Sequence, residues 1–221
     1  MPAGLVVVAD VQTAGRGRLG RTWESRPGSA LLCSILLRPP VPADCSVSAP
    51  FLAVARVSLA GRAAASAVAG GRGGLVVGLK WPNDLVAGAD GLGGKLAGVL
   101  AEVERDAVVV GIGMNLTWAP PGAACLGEGI HRDAVLDALL RSLDDWLVAD
   151  DRMVLRAYRE ACVTLGRPVR VELGGIGDGG GEGGGESFTG TAADITDTGA
   201  LLVETDVCIR EVSAGDVIHL R

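Results

Sequence analysis

From Leu75 to Ile112 this 221-residue chain sets down one short apolar segment after another: Leu75 to Lys80, a segment around Leu85, Lys95 to Val103, and Ala107 to Ile112. The turns between them are too short to house a crossover helix. Neighbouring segments must therefore run in opposite directions, which favours an antiparallel meander over βαβ units. Two further strands precede the meander, the β-branched run Leu5 to Val11 and the run Ala30 to Leu37, the second stopped by Pro39 and Pro40. Phe51 to Val68 has helical length with Gly61 as its one internal breaker, and the glycines from Gly70 to Gly74 close it. Its Ala and Ser content, with Arg56 and Arg62 inside, reads as a buried helix and not a membrane span, where central charges are costly. Leu136, Leu139, Leu140, Leu143 and Leu147 fall at helical spacing, as do Leu155, Tyr158, Cys162 and Leu165. These two amphipathic helices are expected to cover one face of the sheet.

From Arg167 the pattern changes to short strands: Val169 to Leu173, Ser187 to Ala193, Leu201 to Thr205, and Val217 to Leu220. The expected architecture is α+β: a mostly antiparallel mixed sheet with helices on one face over residues 1–166, then a small all-β unit over 167–221. Between the unit's first two strands, Gly174 to Gly185 is almost all glycine, a mobile hairpin loop with no chemistry of its own. With 48% hydrophobic but only 3% aromatic residues, the core has to be aliphatic. A formal net charge of −6 argues against a general nucleic-acid binder, since phosphate contacts need a basic surface. Cys33, Cys45, Cys125, Cys162 and Cys208 are odd in number, widely spaced and without a CxxC pair, so neither a disulfide framework nor a zinc site is indicated. No secretory signal opens the chain, which makes the cytoplasm the expected compartment.

Four motifs are candidates for chemistry. The first, QTAGRGRLGRTW from Gln12 to Trp23, matches GxGxxG literally, but RTWESRP is a poor helix start and no acidic residue stands about 20 positions on, as a dinucleotide site requires. The arginines fit better: Arg16, Arg18 and Arg21 on a glycine-rich backbone suit a carboxylate or phosphate, unless the loop is merely a solvated basic one. The second is GLKWPNDL, Gly78 to Leu85, a strand ending at a rigid Trp-Pro corner. Here Lys80 can meet a phosphate, Asn83 can offer amide contacts and Asp84 can hold a metal or orient a cation, or the turn is structural. The third is GGKLAGVLAEV with Lys95, and the fourth is VVVGIGMNL, whose Asn115 can reach a ribose or phosphate. His131 and His219 stand away from every motif, and no Ser/His or Cys/His set suggests a nucleophile.

Taken together and in this order, AGRGRLGRTW, KWPND, GGKLAGVLAE and GIGMNL resemble the catalytic domain of biotin–protein ligases, and the all-β tail resembles their SH3-like C-terminal domain. The resemblance runs from about Leu5 to the end. It implies an enzyme that activates biotin with ATP and Mg²⁺ and passes the biotinyl group to a lysine of a biotin carboxyl carrier domain of an acyl-CoA carboxylase. By the same resemblance, Gln12, Gly15, Arg16, Gly17, Arg18, Arg21 and Trp23 line biotin and the adenylate with Lys95 and Gly98. Lys80, Asn83, Asp84 and Asn115 lie at the nucleotide, Lys80, Arg18 and Lys95 supply catalytic charge, and Asp84 is the candidate Mg²⁺ ligand. Such enzymes act as monomers or homodimers, and neither a nucleic acid nor a membrane is expected as a partner.

Family domains usually open with a strand and helix carrying a Ser/Thr-Asn segment that touches biotin, and none precedes Leu5 here. Weaker biotin binding and an exposed sheet edge are the expected results. The helix-turn-helix of some members is likewise not found, so repressor function is not expected. The rivals are a lipoate or octanoate transferase, a degenerate module that binds biotin without turnover, and a nicotinamide enzyme.

Overall fold

The computed structural model describes residues 4–38, 49–70, 75–88, 93–105, 107–173 and 186–220. Residues 174–185, the glycine-rich loop, lie outside them. The first sheet has six strands: β1 (Val6–Ala9), β2 (Ala30–Leu37), β3 (Val76–Lys80), β4 (Asp84–Gly88), β5 (Lys95–Glu104) and β6 (Ala107–Asn115), in the order β1-β2-β6-β5-β4-β3. Every pairing in it is antiparallel, and parallel contact among the described residues is confined to two isolated bridges, Leu79 to Cys162 and Lys95 to Ala123. β1 and β3 form its edges.

Strand alternation divides this sheet into two faces. Val108, Val110, Ile112 and Met114 of β6 join Leu31, Cys33 and Ile35 of β2 in the aliphatic core. α1 (Ala49–Ala69) covers that face, packing on β3 to β6. The sequence pattern assigns this task to the two later helices; instead α2 (Arg132–Val148) packs mainly on α1 and touches the sheet at β2, while α3 (Asp151–Ala161) touches it at β3. α1 is the one helix among the described residues long and apolar enough to cross a membrane, and 56% of its most apolar window is buried inside the protein. Its arginines are tethers: Arg56 donates to the Trp146 and Ala149 carbonyls and pairs with Asp151 at 2.7 Å, and Arg62 donates to the Val77 carbonyl. α3 ends at Ala161, short of the expected periodicity, because Cys162 leaves the helix to bridge Leu79.

The second sheet contains β7 (Pro168–Glu172), β8 (Ser187–Ile195), β9 (Leu201–Glu204), β10 (Ile209–Val212) and β11 (Asp216–His219), ordered β10-β9-β8-β7-β11 and antiparallel throughout. β10 has no counterpart in the sequence reading: Ile209 and Glu211 are exposed, and one buried residue, Val212, is too little alternation to register. This sheet docks against the first where α3 and the Trp81 corner meet it. Arg159 of α3 hydrogen-bonds the Ile195 carbonyl and pairs with Asp197, and the Trp81 indole donates to the Gly199 carbonyl at 3.0 Å.

Candidate functional site

The face of the first sheet turned away from α1 carries the site. Register places Leu32, Gly113 and Gly98 in one row across β2, β6 and β5, and Ser34, Gly111 and Leu100 in the next. The glycines leave a shallow floor that larger residues would fill. Trp23 lies on it: a Cβ at Gly113 would stand 2.7 Å from the indole Cε2, well inside van der Waals contact. Above the floor is a cavity of about 570 Å³, a size ordinary for a small-molecule site. Gln12, Arg16, Gly17, Arg18, Arg21, Trp23, Lys80, Asn83, Asp84, Lys95, Gly98 and Asn115 all border it.

Gly15 is the exception and does not border this cavity. It makes the crossing that shapes the arginine loop: Trp23 N–H donates to the Gly15 carbonyl at 3.0 Å, and a Cβ at Gly15 would collide with the Trp23 carbonyl oxygen. Gly17 N–H to the Arg21 carbonyl, at 2.7 Å, closes the inner turn. The three arginines then reach in different directions. Arg16 pairs with Glu102 at 3.2 Å, Arg18 donates to Asn83 Oδ1 at 3.3 Å, and Arg21 pairs with Asp216 of the second sheet.

Asn83 is fixed in turn, its amide donating to the Val99 carbonyl at 2.8 Å. The corner before it is buried. Trp81 is 2% exposed, its backbone N–H donates to Thr164 Oγ1 at 3.1 Å, and Tyr158 Oη donates to the Pro82 carbonyl at 2.8 Å. The Trp81–Pro82 peptide is cis. Thr164 also meets His219 Nε2 at 3.1 Å, so His219 stands behind the Lys80 corner and not apart from the motifs. Sequence separation of more than 130 residues hid this. Burial, then the charges of Lys80 and Arg167, push the His219 pKa from 6.5 down to about 4, so the ring is neutral at neutral pH.

Lys95 Nζ lies 2.7 Å from Asp84 Oδ1, close but not aligned as a hydrogen bond, and 5.8 Å from the Trp23 ring centroid. Lys80 has no ion-pair partner among the described residues. Asn115 is 2% exposed and spends its amide on the Lys95 and Ala124 carbonyls, clasping the loop after β6. Its Oδ1, like Trp23 Nε1, is buried without a hydrogen-bond partner, leaving an acceptor and a donor at the cavity wall. Asp84 does not form a metal cage: no group of three His, Cys, Asp or Glu side chains suited to a metal occurs among the described residues. A Mg²⁺ ion would need phosphate oxygens to complete its shell. Cys33, below the floor, has its thiol pushed up to about 11 by burial and offers no nucleophile.

Several bordering residues escape motif reading. Gly111 and Gly113 are legible in retrospect as the alternate positions of VVVGIGMN, while Glu172, Asp216, Val217 and Ile218 come from the second sheet and carry no local signal.

Residues 1–116 match the model of the biotin/lipoate A/B protein ligase family, and residues 181–220 match that of the biotin protein ligase C terminal domain. Biotin--[acetyl-CoA-carboxylase] ligase of Mycobacterium tuberculosis is 38% identical over 99% of this chain and 80% of its own length. The bifunctional ligase/repressor BirA of Bacillus subtilis is 28% identical over 98% of the chain, which spans 66% of that relative. Biotin protein ligase from Aquifex aeolicus, solved in complex with biotin and ATP, superposes with a TM-score of 0.75 at 27% identity, covering 100% of this chain and 90% of its own. With the ordered motifs converging on one cationic cavity, these matches establish that the chain belongs to the biotin/lipoate A/B protein ligase family.

Proposed function

We propose that this chain is a biotin–protein ligase that makes biotinyl-5'-AMP from biotin and ATP and transfers the biotinyl group to a lysine of a biotin carboxyl carrier domain. The observation that carries the reading is a set of five cations, Arg16, Arg18, Arg21, Lys80 and Lys95, bordering one cavity over a glycine floor. In the first step a biotin carboxylate oxygen attacks the α-phosphorus of ATP and pyrophosphate leaves. Two anions must approach, and cations fixed beforehand lower that barrier most. Lys80 and Arg18 are the foremost of them, since no carboxylate among the described residues pairs with either. Arg18, oriented by Asn83, and Lys95, steadied by Asp84, bracket the same space. Mg²⁺ bound to the nucleotide phosphates would add charge neutralisation. In the second step the acceptor amine attacks an anhydride already activated, so positioning replaces covalent catalysis.

Biotin is favoured over lipoate or octanoate by the full arginine loop beside KWPND and by the C-terminal match to biotin protein ligases. The proposal includes cytoplasmic action, as a monomer or homodimer, without a nucleic-acid or membrane partner. Incubation of the purified chain with labelled biotin, ATP, Mg²⁺ and an apo carrier domain should label the carrier. Label from lipoate or octanoate with none from biotin would overturn the assignment, and adenylate formation without transfer would reduce the chain to an activating module.

A further inference from the structure

The arginine loop is a wall with two sides. Its inner side borders the cavity over the floor; its outer side, with Leu100 and Glu102, borders a second and more open cavity of about 700 Å³. Glu102 is the one carboxylate among the described residues that borders both. Its partner across 3.2 Å is Arg16, and the two side chains are 53% and 73% exposed. Exposed pairs of this kind are weak, so either partner is easily exchanged.

Resting on the ligase reading above, we propose that the second cavity admits the acceptor lysine and that Glu102 receives its ammonium group. An alkylamine with a pKa of about 10.4 arrives as a cation. The inner cavity it must enter is bordered by five cations, which repel it at distances up to roughly a Debye length, about 8 Å in physiological salt. Of the other carboxylates bordering the inner cavity, Asp84 is occupied by Lys95, Asp216 by Arg21 and Glu172 by Arg170, while the exposed Glu24 does not reach the second cavity. Glu102 stands at the shared wall, where an incoming ammonium can replace Arg16. The amine then forms its C–N bond to the acyl carbon as the C–O bond to phosphate breaks and AMP leaves with the bonding pair. The two protons lost from the ammonium go to water, and Glu102 docks the cation without taking one.

Glu102→Gln separates this role from adenylation. Biotin-dependent exchange of labelled pyrophosphate into ATP should keep its wild-type rate, while kcat/KM for the carrier falls about tenfold, mainly through the carrier's KM. Hydroxylamine, uncharged at pH 8, should trap the adenylate at the wild-type rate, and Glu102→Asp should recover most of the transfer. Unchanged transfer by Glu102→Gln overturns the proposal. So does an equal fall with hydroxylamine, which would place the effect in the arginine loop. A wild-type chain that exchanges no pyrophosphate overturns the ligase reading itself, and this proposal with it.

Discussion

The arginine loop and the Trp81 corner bring cations to the same cavity by opposite means. The corner is built into the protein: Trp81 is 2% exposed, and its two N–H groups are held by Thr164 and Gly199 while Tyr158 grips Pro82. The loop is held from its tips, with the Arg16 and Arg21 side chains 73% and 67% exposed. A group that must stabilise charge at one place gains from a rigid mount, while a wall that must admit and seal in substrates needs contacts that open cheaply. The comparison breaks if the two regions respond alike to truncation. Trp81→Ala should lower stability by about 3–5 kcal/mol, the usual cost of emptying a buried tryptophan site. Arg16→Ala should stay within about 0.5 kcal/mol. Urea unfolding monitored by circular dichroism checks both.

Next in size is the charge that the corner presents. Lys80→Ala should cut pyrophosphate exchange by about 10²–10³, the range for losing one preorganised stabilising group, and leave the unfolding midpoint almost unchanged. Lys80 has no ion-pair partner among the described residues, so removing it strands no carboxylate. A Lys80→Ala enzyme within a factor of about three of wild type would move the main electrostatic work to the loop.

The sequence disclosed these two regions unequally. KWPND, the GRGRLG loop and Lys95 were legible because each packs its chemistry into a few consecutive residues. Six strands of the first sheet were legible because apolar runs and turns are local signals. What holds the corner was not. Thr164 and Gly199 act on Trp81, and His219 on Thr164, from distant parts of the chain, and nothing in their own neighbourhoods marks them. Asn115 was legible as a site residue but not as a clasp, because its role depends on the Ala124 carbonyl returning across the end of β6. The helix that covers the sheet escapes the amphipathic pattern for a related reason. α1 is apolar nearly all round and shows no stripe, yet that is what a helix sandwiched between a sheet and other helices requires.

His219 gives the corner a pH dependence. Its pKa falls from 6.5 unfolded to about 4 folded, so between those values the unfolded chain takes up a proton that the folded chain refuses. Stability from this group is fully present above pH 6.5 and is lost as pH falls toward 4. His219→Gln should therefore flatten the fall of the urea midpoint across that window. An unchanged slope would assign the acid sensitivity to other groups.

The smallest expected effect is at Arg21 and Asp216, where the loop touches the second sheet. Arg21 is mostly exposed and Asp216 is not, so the pair sits between a surface ion pair and a buried one. Its contribution should lie near 1 kcal/mol, enough for Asp216→Asn to raise the KM for ATP about fivefold. Because solvent reaches the pair, salt should erase the difference: at 1 M ionic strength, where charges are screened beyond about 3 Å, the wild type should approach the variant. If the pair were instead as fixed as the corner, Asp216→Asn would lower the unfolding midpoint as well as the affinity, and salt would leave both unchanged. The loop would then be a second rigid mount, and sealing the cavity would require some other segment to move.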